Sequence, residues 1–187
     1  MKQNNRCPWA KGKEDIHYHD TEWGIPSRND HYIFEMLILE GFQAGLSWNT
    51  ILRKRENFRK AFDNFDYKKI AEYNETKLNE LLKNEGIIRN KLKIRSTVTN
   101  AQAFIKIQEE YGSFSDYIWN FTDNKQIINK WENLSQLPAS TELSDKISKE
   151  LKKRGFKFIG STIIYSFLQA IGIIDDHLVS CPYKKKL

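Results

Sequence analysis

The chain has 187 residues, of which 40% are apolar and 13% aromatic, and this composition predicts one packed globular domain. No apolar run approaches the roughly 18 residues that a membrane-spanning helix needs. The formal net charge of +6 favours an anionic partner, of which nucleic acid is the commonest, although a generically basic protein is the alternative. The lysines near the C-terminus are expected to form a solvated tail: Lys184, Lys185 and Lys186.

Apolar residues recur at helical spacing along most of the chain, whereas strand signals are nearly absent. Asp30 and Ser47 are expected to cap the first two predicted helices, and Gly86 to end the fourth. The predicted fold class is therefore all-α. In chain order, helices are expected over residues 30–44, 47–62, 66–73, 75–84, 90–108, a short one from residue 113, 143–154 and 161–171.

A basic hairpin with two glycines separates the last two predicted helices. Gly155 is expected to adopt a positive φ, and Gly160 to let a second backbone approach closely. Free amides where the next helix begins form a site for an anion. This pattern predicts a helix-hairpin-helix that grips one DNA strand by its backbone, with an ordinary helix–helix turn as the alternative. The expected DNA contacts are Lys153, Arg154, Gly155, Lys157, Gly160 and Ser161.

The two cysteines lie near opposite ends of the chain, and each has a histidine nearby. Cys7 precedes His19, and His177 precedes Cys181 at a spacing that puts both on one face of a helical turn. Together they make a Cys₂His₂ set, typical of closed structural zinc sites, so a shared ion would join the termini. No signal peptide precedes them, so we expect a cytosolic chain with reduced thiols. The alternative is that each cysteine is simply a small buried residue.

A carboxylate lies on an otherwise apolar helical face, close in sequence to a cluster of aromatic residues. Glu40 is costly to bury unless it is paired or functional. An acid among aromatic rings suits a flat, cationic, heteroaromatic ligand, because the rings stack on it and the carboxylate accepts its N–H groups. The alternative places the tryptophans in the core and Glu40 at the surface or beside a basic residue. The aromatic residues are Trp9, Tyr18, Trp23 and Trp48.

Over nearly its whole length, the chain resembles the 3-methyladenine DNA glycosylase I family, a bacterial branch of the helix-hairpin-helix glycosylases. The resemblance implies an all-α helical bundle, a zinc site joining the termini, and excision of N3-methylated adenine from DNA. It is carried by Cys7-x-Trp9, Tyr18 to Pro26, Leu39 to Trp48 with Leu52 to Glu56, Gly86 to Asn90, Lys152 to Gly160, and Asp176-His177.

The resemblance also implies roles for single positions. The base-recognition carboxylate falls on Glu40, which we expect to be the catalytic residue, the pocket tyrosine on Tyr18 and the stacking tryptophan on Trp48. Trp9 and Trp23 match tryptophans near the pocket. The zinc ligands fall on the same four residues that spacing suggested, and exclude the neighbouring His17: Cys7, His19, His177 and Cys181.

Two further positions carry over from the family, and one departs from it. Gly45 and Leu46 resemble the wedge that fills the gap left by a flipped nucleotide. Phe42 stands where related sequences often have a polar residue such as glutamine. Asp175 and Asp176 lie near the place of a catalytic aspartate in other helix-hairpin-helix glycosylases, but they flank a zinc ligand, and we expect them to be supporting or structural groups.

The implied chemistry needs few catalytic groups. Methylation at N3 gives the base a positive charge and weakens its glycosidic bond, so that flipping, selection of the base and attack by water suffice. No lysine is placed for a Schiff base, so we expect a monofunctional enzyme. The expected partners are double-stranded alkylated DNA and free 3-methyladenine, for a monomer in the bacterial cytoplasm. A non-catalytic, zinc-stapled DNA-binding protein is the alternative, while a zinc hydrolase would need an open metal position.

The predicted organisation is a single glycosylase domain over residues 1–187 with two parts. Residues of about 28–165 are expected to form the helix-hairpin-helix core. Residues of about 1–27 and 166–187 are expected to form the terminal lobe held by zinc.

Overall fold

The computed structural model describes residues 5–185, and within that range the chain is mostly helical. No helix in the described part is long and apolar enough to cross a membrane. The described α-helices are α1 (Lys13–Thr21), α2 (Asp30–Gln43), α3 (Trp48–Ala61), α4 (Tyr67–Ala71), α5 (Glu75–Lys83), α6 (Lys91–Tyr111), α7 (Phe114–Trp119), α8 (Glu142–Lys153) and α9 (Ser161–Ala170).

Every predicted helix is present, with its ends shifted by a few residues. Helix α1 was not predicted, because its buried face is made of Asp15, Tyr18 and His19 rather than a periodic set of aliphatic side chains. The chain also forms a short parallel pair, β1 (Ile127–Ile128) and β2 (Ile174–Asp175), which strand propensity over two residues cannot reveal.

The helix caps confirm one prediction and correct another. The Ser47 hydroxyl accepts an amide hydrogen bond from the first turn of α3, as expected. Asp30 does not cap α2, because the Asn29 side chain accepts the amide hydrogen bonds of that first turn. Asp30 instead accepts hydrogen bonds from the amides of Phe114 and Ser115 at 2.9 and 2.7 Å, and so ties the start of α2 to the start of α7.

Two predictions about local conformation are wrong. Helix α5 ends at Lys83 with Asn84 as its C-cap, so Gly86 lies beyond the helix rather than ending it. Lys184 is not solvated: its side chain is 12% exposed, and its ammonium donates hydrogen bonds to the carbonyls of Asn129 and Asp175. Lys185 is exposed, and Lys186 lies outside the described residues.

Helix α2 is the centre of the core. All of its residues from 33 to 42 are buried, and it packs against α3, α6, α7 and α9. Each fully buried aromatic or large aliphatic side chain contributes about 1.5–3 kcal/mol relative to exposure. Because α2 is enclosed on every side, any polar side chain on its buried residues is held away from bulk water.

The two ends of the chain pack together. The Gly24 amide donates to Gln169 O, and the Ser27 amide to Ile171 O, both at 2.9 Å. Gly172 has φ +72°, and a Cβ at that position would lie 2.2 Å from the carbonyl carbon of Ile25. Only glycine permits this approach, which holds the segment after α1 against the end of α9.

Candidate active site

A cavity of about 210 Å³ lies where the C-terminal half of α2 meets the start of α3, the middle of α9 and the N-terminal segment. Its walls combine aromatic rings with one carboxyl and two amide side chains. The lining residues are Trp9, Trp23, Glu40, Gln43, Trp48, Leu137, Ser166 and Gln169.

Glu40 is the only carboxyl group among the described lining residues. It is 4% exposed, and no hydrogen bond or ion pair joins it to another described side chain. Burial raises its pKa to about 8, because the charged form loses its hydration without gaining a counter-ion. The sequence prediction of a buried acid on the apolar face of α2 is confirmed, and its surface and ion-pair alternatives are wrong.

The aromatic residues predicted to surround Glu40 form one connected cluster. The rings of Trp9 and Trp23 meet edge to face, with centroids 5.0 Å apart. Tyr18 packs against Trp48, with ring centroids 5.3 Å apart, and is not among the residues that line the cavity wall. The indole N–H of Trp48 is buried and has no hydrogen-bond partner among the described residues.

Phe42, the position that departs from the family, does not contribute to the cavity. Its side chain is 1% exposed and packs against Phe58 with ring centroids 4.8 Å apart. The apolar residue therefore belongs to the core, and the amide of the next residue, Gln43, supplies polarity to the cavity wall.

Four lining residues were not singled out from the sequence. Gln43 lies inside the block from Leu39 to Trp48 that carried the resemblance, and Ser166 and Gln169 share a face of α9 at i,i+3 spacing. Leu137 follows a short 3₁₀ turn in a long connection, where no periodic signal exists.

Asp176 fixes one wall of the cavity without lining it. The carboxylate is fully buried, and its Oδ2 accepts hydrogen bonds from the Tyr165 hydroxyl and, at 2.6 Å, from the Gln169 amide. Its Oδ1 accepts from Asn129 and from the Trp131 indole, each at 2.7 Å. The carboxylate therefore accepts four hydrogen bonds and holds Gln169 in place. This is the supporting role expected for Asp176 from the sequence.

Three of the four predicted metal ligands come together. The ligand atoms of Cys7, His19 and Cys181 all lie within 4.8 Å of one another, and all three residues are buried. His177 lies beside them, with its ring centroid 4.7 Å from that of His19, but it is not part of this close group. His17 is exposed and outside it, as expected.

The expected helical turn between His177 and Cys181 is not formed. The segment is a non-helical turn in which the Cys181 amide donates to Leu178 O. Cys7 and Cys181 are thus brought together by packing of the two chain ends rather than by a local repeat.

Both histidines are oriented by carboxylates through the same ring nitrogen. Nδ1 of His19 lies 2.8 Å from Asp20, and Nδ1 of His177 lies 2.8 Å from Asp175. This leaves Nε2 of each ring for a metal, the usual arrangement around zinc-binding histidines. The hydrogen bond between the two thiols lowers the pKa of Cys181 and raises that of Cys7, so Cys181 is the one favoured as a thiolate, the form that binds metal. The donor set therefore fits a zinc ion.

The turn between α2 and α3 presents the predicted wedge beside the cavity. Gly45 has φ +84°, and the Leu46 side chain is 38% exposed. Gln43 braces this turn, because its carbonyl accepts from the Leu46 amide at 2.7 Å and its side chain donates to Leu46 O at 2.9 Å. An exposed apolar tip therefore stands on a braced turn next to the cavity wall.

In the hairpin between α8 and α9, some of the side chains predicted to contact DNA are exposed, and others are bound to residues of the protein. Lys153 and Lys157 are exposed, and α9 begins at Ser161. Arg154 is already engaged, because its guanidinium pairs with Glu110 at 2.6 Å and Glu150 at 3.2 Å. It supports the hairpin rather than standing free for a phosphate.

The predictions for the two hairpin glycines differ in their outcome. Gly155 has φ +95°, as predicted. The close approach predicted at Gly160 is wrong within the described chain, since a Cβ there would meet nothing within 4 Å. The space around Gly160 is open to the outside, which suits contact with another molecule.

The family model described as methyladenine glycosylase matches residues 9–185. The chain belongs to this family. Its activity is accordingly that of a base-excision-repair glycosylase, which hydrolyses an N-glycosyl bond. The resemblance inferred from sequence motifs is confirmed.

Relatives of known activity match over nearly the whole chain. The DNA-3-methyladenine glycosylase of Haemophilus influenzae is 46% identical, covering 96% of this chain and 97% of its own length. The DNA-3-methyladenine glycosylase 1 of Escherichia coli is 45% identical, covering 94% and 95%. A crystal structure of a variant 3-methyladenine DNA glycosylase I in complex with 3-methyladenine has a TM-score of 0.94 and 35% identity, covering 98% of this chain and 99% of that one.

Proposed function

We propose that this protein excises 3-methyladenine from alkylated double-stranded DNA, with the flipped base bound in the cavity above Glu40. The observation that carries the proposal is an unpaired, buried carboxylate in a cavity walled by tryptophans. Such a site is costly for the empty protein, so it must be compensated by a ligand of complementary charge and shape. A methylated adenine within DNA is planar and cationic, and it supplies both.

Charge gives the selectivity. In the empty cavity the desolvated carboxyl of Glu40 is held near neutrality, with its pKa about 8. An opposite charge within about 4–6 Å lowers such a pKa again, so the cationic base and the carboxylate stabilise each other. Unmodified adenine is neutral and offers no such compensation. Stacking on Trp48 adds attraction that every purine shares, so it contributes affinity rather than discrimination.

Glu40 is also the group we assign to catalysis. The methylated base is a good leaving group, so the enzyme needs to hold the developing charges rather than supply a strong acid. As the C1′–N9 bond breaks, its electron pair passes to the base, which leaves as neutral 3-methyladenine, and positive charge passes to the sugar. Water adds to the sugar carbon and releases its proton to solvent, while Glu40 holds the base in the cavity until its charge is lost. No lysine occurs among the described residues that line the cavity, which supports hydrolysis without a lyase step.

DNA is held outside the cavity by two segments. The hairpin offers the exposed ammonium groups of Lys153 and Lys157, and the first amides of α9 have no intrahelical acceptor. Together they suit the phosphates of one strand. Leu46, next to Gly45, would enter the space vacated by the flipped nucleotide. A few kcal/mol of unstacking is needed, and least where the base is damaged.

We also propose that a structural zinc ion is bound by Cys7, His19, His177 and Cys181. Its support is the buried group of three ligands with the fourth beside it, and the carboxylates that orient both imidazoles. Four protein ligands close the coordination shell, so the ion supplies cross-linking of the chain ends and no reaction step. The terminal lobe of residues 1–27 and 166–187 around the core of 28–165, a monomeric state and a location in the bacterial cytoplasm belong to the same proposal.

The test is calorimetric titration of free 3-methyladenine into the wild type and Glu40→Gln, together with excision from methylated DNA. Loss of a charge-assisted hydrogen bond costs about 1.5–3 kcal/mol, so affinity should fall by roughly one to two decades. Trp48→Ala should also bind more weakly through lost stacking.

Glu56→Gln is the matched control, because this carboxylate is 71% exposed on the neighbouring helix and should leave binding unchanged. Wild-type binding and excision in Glu40→Gln would overturn its assignment. If the wild type bound DNA but released no free base, the non-catalytic alternative would replace the proposal.

A further inference from the structure

We propose that Lys93 is a positioning residue for nucleotide flipping, which fixes the turn from Phe42 to Leu46 in the shape that enters the DNA. This inference rests on the proposed function, in which Leu46 is the inserted side chain. Lys93 lies on α6 and is 7% exposed. Its ammonium donates hydrogen bonds to Phe42 O at 3.0 Å and to Ala44 O at 2.8 Å, and no carboxylate among the described residues pairs with it.

The turn needs an external donor at this place. The last carbonyls of a helix have no intrahelical partner, and they carry the negative end of its dipole. Helix α2 ends at Gln43, and the chain then leaves the helical conformation at Ala44, with φ −50° and ψ 117°. A buried ammonium satisfies two of these carbonyls and compensates their partial charge. Lys93 thereby determines where α2 stops and at what angle the Gly45–Leu46 tip leaves it.

The same helix also holds the hairpin. Asn100 lies two turns after Lys93, and its side chain accepts from the Lys157 amide at 2.8 Å and donates to Lys157 O at 3.1 Å. The Lys93 ammonium lies 6.0 Å from the centroid of the Phe158 ring. Helix α6 therefore contacts both segments that are proposed to bind DNA, the α8–α9 hairpin and the Gly45–Leu46 turn. It thereby sets the distance between the DNA strand bound by the hairpin and the turn that enters the base stack.

This arrangement predicts a separation between base binding and DNA binding. The cavity residues do not include Lys93, so a free base should bind a Lys93 variant nearly as well as it binds the wild type. DNA requires the hairpin and the tip to engage together, and a preformed geometry avoids the ordering cost at that step. A more flexible Gly45–Leu46 turn should therefore weaken nucleotide flipping while leaving the cavity able to bind the free base.

Lys93→Met tests the proposal, because methionine keeps an unbranched chain and removes the donors. The probe is a duplex with a stable abasic analogue flanked by 2-aminopurine, whose fluorescence rises when its neighbour unstacks. We expect at least about tenfold weaker duplex binding with a reduced fluorescence rise, and free 3-methyladenine affinity within about threefold of wild type. Lys91→Met, an exposed lysine on the same helix, is the matched control and should behave as wild type.

Two further variants keep the result decisive even if Lys93→Met does not fold. Lys93→Arg retains donors and should recover insertion, whereas Lys93→Gln offers a shorter, neutral donor and should recover less. Combined with Leu46→Ala, a Lys93 variant should show little added loss, because both act through the same tip. Insertion and excision at wild-type levels in Lys93→Gln, or equal losses for free base and duplex, would overturn the proposal. A wild type that binds duplex with insertion but excises no base would contradict the proposed function and not this inference.

Discussion

Glu40 is a carboxyl group that the fold encloses without giving it a hydrogen-bond or ion-pair partner in the described part of the chain. By contrast, Asp176 is equally enclosed but accepts four hydrogen bonds. Buried polar groups in folded proteins are normally satisfied, so the difference separates a structural acid from the one that we propose to bind the base. The buried Trp48 indole N–H also has no partner among the described residues.

Glu40 should make the stability of the empty protein depend on pH. Its pKa is raised from 4.5 to about 8, so between these values the unfolded chain has lost a proton that the folded chain keeps. The free energy of unfolding should therefore fall by about 1.4 kcal/mol per pH unit across that window, and no further above it.

Glu40→Gln should remove this slope, and should be the more stable protein by up to about 5 kcal/mol at the upper end of the window. Urea unfolding of both proteins from about pH 5 to about pH 8 measures the difference. Parallel curves for the two proteins would show that the Glu40 carboxyl is hydrated or paired in solution.

Part of the site was predictable at the residue scale. Glu40 and the tryptophans stand out because an acid within an apolar helix face and a cluster of large rings are both rare patterns. Gln169 gave no such signal, because its place depends on Asp176, Asn129 and Trp131, which converge only in the folded chain. The role of Tyr18 came from the resemblance alone, and its ring packs directly against that of Trp48.

At the scale of elements, the hairpin separates residues that look alike in sequence. Lys157 and Arg154 are both basic, yet one is exposed and the other is bound to two glutamates and stacked over Tyr111 and Tyr117. Sequence spacing could not distinguish them, because Glu110 lies 44 positions away from Arg154.

Substitution of Lys157 should change the salt dependence of DNA binding, whereas substitution of Arg154 should change the stability of the protein. Lys157→Gln should lower the slope of log affinity against log salt by about one, as expected for one lost phosphate contact. Arg154→Gln should leave that slope nearly unchanged and cost about 0.2–1 kcal/mol of stability, since its ion pairs are partly exposed. Fluorescence anisotropy with an abasic duplex over a salt series, plus thermal unfolding, measures both. A smaller slope for Arg154→Gln alone would reverse the assignment.

The helices with regular apolar spacing were predictable as elements, whereas α1 and the β1–β2 pair were not. In α1 the buried side chains are an aspartate, a tyrosine and a histidine, so the usual apolar period is absent. The β pair exists because the end of the chain returns beside residues 127–128, which is a tertiary event.

At the scale of the whole molecule, the closure of the two chain ends determines whether the cavity exists. Trp9 and Trp23 come from one end, Ser166 and Gln169 from the other, and the helical core supplies Glu40 between them. The proposed zinc ion would reinforce this closure, since Cys7 and Cys181 are the first and the last of its proposed ligands along the chain.

Removal of one ligand should therefore act through stability. Cys181→Ser should lower bound zinc below one equivalent and reduce the melting temperature, because metal binding is coupled to folding. His17→Ala, which changes an exposed histidine outside the ligand group, should keep full occupancy. Elemental analysis and thermal unfolding give the two readouts. Metal-free wild-type protein with unchanged stability would contradict the zinc proposal.

The pairing of residues 24–27 with residues 169–172 also has a consequence for synthesis of the chain. Residues 24–27 leave the ribosome well before residues 169–172, which carry the carbonyls that receive their amides. At about 5–20 residues per second, the early segment waits for seconds without its partner. The helical core around α2 can assemble during that interval, but the walls of the cavity cannot. We therefore expect catalytic competence only once α9 and the turn after it dock onto the segment that was translated before them.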